Sequence, residues 1–155
     1  RVRPLGSDLI QFAPGPDLDN ADSPWTVGEG RPPQHQFKGY SLDEKRRPKF
    51  NYQFTDISVE YYSVDILDAS KRPFIRRTLT LRSASSNPKD VVFKAATGKT
   101  ITLEGNDVFL VDNALRIRVD QNNKASIVDR ISGMQLRIPL QIDDKPLTLM
   151  LEYVW

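Results

Sequence analysis

Leu115-Arg116-Ile117-Arg118-Val119-Asp120 alternates apolar and charged residues without a break. A period of two belongs to an extended strand with one face on a core and the other in water. Arg116 and Arg118 are accordingly expected on a solvated sheet face. The same alternation recurs on both sides of this stretch. Downstream, Leu136, Ile138, Leu140 and Ile142 keep register around Pro139, whose missing N–H predicts an edge or a bulge there, and Leu147, Leu149, Leu151 and Tyr153 close the series. Upstream come Ile101 and Leu103, then Leu79 and Leu81 between Thr78, Thr80 and Arg82, then Ile57, Val59 and Tyr61. Phe50, Tyr52 and Phe54 alternate with Asn51 and Gln53 before them. Turn-forming clusters separate the runs: Asn87-Pro88, Thr97-Gly98, Gly105-Asn106-Asp107, Asp112-Asn113, Gln121-Asn122-Asn123, Ser132-Gly133 and Asp143-Asp144. Short strands at intervals of about 8–12 residues, with no helical stripe, predict an all-β fold: an antiparallel β-sandwich, with a barrel as the alternative.

The start of the chain reads differently. Seven of the 11 prolines lie within residues 1–48, and a segment so rich in a residue with fixed φ and no N–H supplies no central strand. The expected organisation is an extended proline-rich arm over residues 1–35 and a β-sandwich domain over residues 36–155. Trp25 is expected to pin the arm to a sheet, and the arm to lie against the domain or a partner. The chain opens at Arg1 with no basic-then-apolar leader, which suggests a processed chain or a piece of a longer one.

Composition excludes several kinds of chemistry. With 22 Lys and Arg against 20 Asp and Glu, the net charge of +2 gives no broad attraction to nucleic acid, and none is expected as a partner. No apolar run approaches the roughly 20 residues of a membrane span. The chain has no cysteine, hence no disulfide, thiolate metal site, nucleophilic thiol or Cys-x-x-Cys-His haem attachment. The single histidine, His35, follows Arg31-Pro32-Pro33-Gln34, so a multi-histidine metal site would need ligands from another chain. No metal, cofactor or catalytic residue is assigned.

Two other chemistries are available by residue type. Asp65, Asp68, Asp112, Asp129, Asp143 and Asp144 could furnish a carboxylate pair for a glycoside hydrolase or lyase, although turn aspartates ordinarily bind their own backbone. Aromatic residues could build a carbohydrate-binding platform. Tyr61-Tyr62 places one ring on each face of its strand, so one ring needs a partner or a loop. Asp43-Glu44 beside Lys45-Arg46-Arg47 reads as a polar hairpin loop. The residues chosen for partner contact are Trp25, His35, Tyr40 and Tyr62, with an exposed basic face at Arg76 and Arg77.

Several segments carry a resemblance in order. They are Phe37-Lys38-Gly39-Tyr40-Ser41-Leu42-Asp43, Pro48-Lys49-Phe50-Asn51-Tyr52 and Ile57-Ser58-Val59-Glu60, followed by Ile75-Arg76-Arg77-Thr78-Leu79-Thr80-Leu81, Val92-Phe93-Lys94-Ala95-Ala96-Thr97-Gly98 and the terminal Leu149–Trp155. Together they resemble an all-β accessory region of large secreted c-type cytochromes and haem-binding dehydrogenase-like proteins of planctomycete-type bacteria. Without the haem-binding motif, no redox role passes to any residue here. The resemblance implies instead an extracytoplasmic location, periplasmic or secreted, and a non-catalytic scaffold or docking role in an electron-transfer assembly. The implied partner is a haem-bearing or other redox subunit.

Overall fold

A computed structural model describes residues 12–14, 35–54, 56–120, 124–131 and 133–155. The strands, in chain order, are β1 (Phe12–Pro14), β2 (His35–Leu42), β3 (Pro48–Phe54), β4 (Ile57–Leu67), β5 (Pro73–Ser83), β6 (Lys89–Gly98), β7 (Ile101–Gly105), β8 (Val108–Val111), β9 (Leu115–Val119), β10 (Ser126–Arg130), β11 (Gly133–Ile142) and β12 (Leu147–Val154). The described residues include no helix. One sheet has the order β1-β6-β11-β10, the other β2-β3-β4-β5-β12-β9-β8-β7, and every pairing is antiparallel. Neither sheet closes on itself, which makes the fold a β-sandwich and not a barrel.

The period of two decides what is buried. Leu79 and Leu81 of β5, Leu149 and Leu151 of β12 and Ile117 of β9 share the inner face of the larger sheet, each at 0% exposure. Phe93 of β6 and Leu136, Ile138 and Ile142 of β11 meet them from the smaller sheet, also completely buried. Burying such a side chain stabilises the fold by about 1.5–3 kcal/mol, which outweighs any intrinsic strand preference. The outward residues Arg116 and Arg118 are exposed, as the alternation predicts.

The two sheets cross steeply. At one end of β11 the Met134 sulfur accepts the Ile101 N–H of β7, at 3.1 Å. Past its other end the Asp143 carbonyl accepts the Ser83 N–H of β5, at 2.7 Å. Strands β12, β9 and β8 lie between those two points, so β11 runs across the larger sheet rather than along it. Strands β2 and β3 extend beyond the span of this crossing.

Three bulges shape the ladders. Phe37 opposes Tyr52 and Gly39 opposes Asn51, which leaves Lys38 as the extra residue of β2. Leu103 opposes Phe109 and Gly105 opposes Val108, which leaves Glu104 extra in β7. These are the two edge strands of the larger sheet, and a bulge bearing a charge is a barrier to edge-to-edge pairing with another chain. The third bulge, in β6, leaves Ala95 without a counterpart between Leu136 and Arg137 of β11.

Pro139 obeys the sequence rule locally. Strand β10 stops pairing with β11 at the Ser126–Arg137 pair, so Pro139 has only β6 beside it. Within the proline-rich arm, Phe12–Pro14 pairs with Val91 to Phe93 of β6 as the edge strand of the smaller sheet. A strand paired on one side tolerates proline, which is why this segment enters the sheet at its edge. The remainder of the arm up to residue 34 lies outside the described residues.

Candidate functional site

Beyond the crossing of the smaller sheet, the inner face of β2, β3 and β4 carries an aromatic surface. Phe37 opposes Tyr52, Tyr40 opposes Phe50, and Phe50 opposes Tyr61. Phe37 and Tyr40 are three residues apart and would point to opposite faces of a regular strand. The Lys38 bulge, with Gly39 at φ 116°, brings both to one face. Ring centroids lie 5.5 Å apart for Phe37–Tyr52, 6.4 Å for Phe37–Phe50 and 6.5 Å for Tyr40–Phe50, with planes inclined 50–55°. Phe50 stacks on Tyr61 at 6.5 Å. The outer members remain open to solvent: Phe37 is 57% exposed, Tyr40 64% and Leu42 50%.

Two hairpins end beside this face, and they are built alike. In the β2–β3 turn, Asp43 Oδ1 accepts the backbone N–H groups of Lys45 (2.9 Å) and Arg47 (2.7 Å), while Oδ2 accepts Arg47 Nε–H (2.8 Å). In the β4–β5 turn, Asp68 Oδ1 accepts the N–H groups of Ser70 and Arg72, both at 2.8 Å, and Oδ2 accepts Arg72 Nε–H at 3.0 Å. The Tyr62 hydroxyl also donates to Asp43 Oδ2, at 2.5 Å. That bond, then the Arg47 backbone N–H, hold the Asp43 carboxyl well below the usual carboxylate range. The same bond stabilises the neutral phenol and pushes Tyr62 up.

Of the residues chosen for contact, Tyr40 lies on the aromatic face and is exposed. Tyr62 lies on the opposite face of β4 from Tyr61 and has its partners within the chain. Besides Asp43, the Arg47 guanidinium and the Lys49 ammonium each stand 5.5 Å from its ring centroid. The expected exposed basic face at Arg76 and Arg77 does not exist. Successive strand residues point to opposite faces, and Arg77 is in register with Leu79 and Leu81, so it turns inward and is 4% exposed. Its guanidinium lies 5.1 Å from the ring centroids of both Tyr61 and Tyr153. Arg76 faces outward but is half-buried, with its Nη2 2.8 Å from Glu152 Oε1. Arg118 takes the other oxygen of Glu152, also at 2.8 Å. His35 opens β2 opposite Phe54, and Trp25 lies outside the described residues.

The carboxylates considered for catalysis are dispersed. Asp112 Oδ1 accepts the Thr100 N–H and Asp143 Oδ1 the Lys145 N–H, so both act, like Asp68, as turn residues. Asp65, Asp129 and Asp144 are exposed. Among the described residues no group of three or more His, Asp or Glu side chains converges, and no helix is long and apolar enough to cross a membrane. Comparison with protein-family models and with curated proteins returns no match.

Phe37, one of the aromatic residues available for a binding platform, and Leu42 are not among the residues chosen for partner contact, and strict alternation places Phe37 on the opposite face from Tyr40. Gly39 between them was the available signal for a bulge.

Proposed function

We propose that this protein is a non-catalytic docking domain and that the face formed by Phe37, Tyr40 and Leu42 over β2 and β3 is its contact surface for another protein. The observation that carries this reading is the joint exposure of those three apolar residues on one face, backed by Phe50 and Tyr52 and beyond the span of the smaller sheet. Clustered aromatic residues on a rigid sheet are the chemistry of an interface centre, since they supply large contact area at little entropic cost. The inclination of the rings supports a protein partner over a polysaccharide. Planes tilted 50–55° to one another offer no common plane on which a run of sugar rings could stack.

The resemblance to accessory regions of secreted c-type cytochromes supports, as the proposed partner, a haem-bearing subunit of an extracytoplasmic electron-transfer assembly. A chain without cysteine leaves any covalently attached haem to that partner. Capture from the native source on the immobilised chain, beside a Phe37→Ser/Tyr40→Ser chain, tests both parts. The expected result is a stoichiometric partner with a haem absorbance band, retained by the wild type and lost by the double variant at an unchanged unfolding midpoint. Equal capture by both chains rejects the aromatic face. A captured partner without haem rejects the electron-transfer assignment. Retardation by a polysaccharide gel that is abolished in the double variant transfers the face to carbohydrate binding.

A further inference from the structure

Leu42-Asp43-Glu44-Lys45-Arg46-Arg47-Pro48 and Leu67-Asp68-Ala69-Ser70-Lys71-Arg72-Pro73 follow one pattern, Leu-Asp-x-x-(Arg/Lys)-Arg-Pro. The backbone is the same in both. Each aspartate N–H donates to the carbonyl of the arginine four residues on, at 3.0 and 2.9 Å, and Arg46 and Lys71 donate back to the aspartate carbonyls at 2.9 Å. Arg46 and Lys71 consequently sit at φ 61° and 60°. Left-handed backbone disfavours any residue with a Cβ, and glycine or asparagine would relieve it. The chain twice keeps a long cation there.

The electrostatics of the two tips also match. Arg47 and Arg72 are neutralised by Asp43 and Asp68 within their own turns. Among the described residues, Lys45, Arg46 and Lys71 form no ion pair and all are exposed. The leucine at the head of each motif is exposed too, Leu42 at 50% and Leu67 at 64%. Strands β2 to β5 are consecutive and antiparallel, so both hairpins turn at the same end of the sheet. The β4–β5 tip reaches further, because Ser63 to Leu67 continue past Tyr62, the last residue of β4 that pairs with β3.

We propose that the two tips act together as a docking surface for an acidic protein segment. Its carboxylates meet Lys45, Arg46 and Lys71, and its apolar side chains meet Leu42 and Leu67. This rests on the docking reading above and names the partner's chemistry. An acidic protein segment suits the tips better than a nucleic acid, because it can space its carboxylates away from the exposed Glu44 and Asp65, which a continuous phosphate backbone cannot do, and its apolar side chains match the exposed Leu42 and Leu67. Cations bordering an apolar aromatic centre reproduce the charged rim of a protein interface.

The test is fluorescence anisotropy of a labelled glutamate-rich peptide with spaced leucines, titrated with the full chain at low salt. Saturable binding is expected, weakened about tenfold by Arg46→Gly/Lys71→Gly and abolished by about 0.5 M NaCl. Glycine suits both left-handed positions, so the variant's unfolding midpoint should equal or exceed that of the wild type. Absence of binding by the wild type, equal binding by the double variant, or tighter binding of a DNA oligonucleotide of equal charge overturns the proposal. The peptide with Arg46→Gly/Lys71→Gly reads the tips and native capture with Phe37→Ser/Tyr40→Ser reads the aromatic face, so failure of the one and failure of the other are distinguished.

Discussion

Arg77 donates from Nη1 to the Tyr153 hydroxyl at 2.7 Å, and that hydroxyl donates to the Ala95 carbonyl at 3.3 Å. The two bonds join β5 and β12 of the larger sheet to β6 of the smaller one through the interior. Ala95 is the bulged residue of β6, outside its pairing with β11, and its carbonyl accepts from Tyr153 instead. On the other side of Arg77, the Ser63 hydroxyl donates to the Tyr61 hydroxyl at 2.6 Å. The buried cation is held by two aromatic faces and a hydroxyl, while burial pushes the Tyr153 phenol up.

Arg77→Ala should lower the unfolding free energy by about 2–4 kcal/mol, since it removes both the packing of a long side chain and its bond to Tyr153. Arg77→Met should cost distinctly less, because methionine refills the volume and carries no charge to desolvate. Urea titration of the two variants checks this order. A methionine variant as unstable as the alanine variant would show that the polar bond, not the packing, dominates.

Tyr153→Phe keeps the ring and removes the link between sheets. The Ala95 carbonyl loses its donor and Arg77 loses one acceptor, an expected cost of about 1–3 kcal/mol by chemical denaturation. A variant as stable as the wild type would mean that water replaces the hydroxyl.

The β2–β3 hairpin should be acid-labile. Because Asp43 is depressed in the folded chain, its contribution is complete above the unfolded-state value of about 3.9 and is lost as pH falls toward the folded-state value. Between about pH 6 and pH 2, Asp43→Asn should begin less stable than the wild type and decline less steeply. Parallel declines in thermal midpoint would remove Asp43 from the acid response.

Gly133 and Gly98 mark a close backbone approach. Gly133 has φ 117°, and a Cβ on it would stand 2.8 Å from the Gly98 carbonyl oxygen. A Cβ on Gly98 would meet the Val111 side chain at 2.7 Å. Gly133→Ala should therefore be the more damaging substitution, at about 2 kcal/mol or more, because backbone yields less readily than a side chain. Thermal unfolding of the two alanine variants tests the ranking.

The alternation of Leu115 to Val119, of Leu79 and Leu81 and of Leu149 to Tyr153 was sufficient to place the core faces, because one strand carries its own periodicity. Strands β8 and β10 are too short for their periodicity to stand out, and pairing gives them away only in three dimensions. The inward turn of Arg77 was legible from its register with Leu79, yet charge argued for exposure. The rings of Tyr61 and Tyr153, brought in from β4 and β12, and the Tyr153 hydroxyl help to make its burial tolerable.

By itself, the sequence determined the longer alternating strands and the apolar residues of their inward faces, the absence of thiols and of a second histidine, and the repeated Leu-Asp-x-x-(Arg/Lys)-Arg-Pro spacing, all of which depend on residue type and local spacing. Tertiary structure decided the steep crossing of the sheets, the bulge that puts Phe37 and Tyr40 on one face, and the setting of both hairpin tips at one end. Those features depend on which strands pair and where a ladder slips, and pairing between distant segments leaves no period in a single chain.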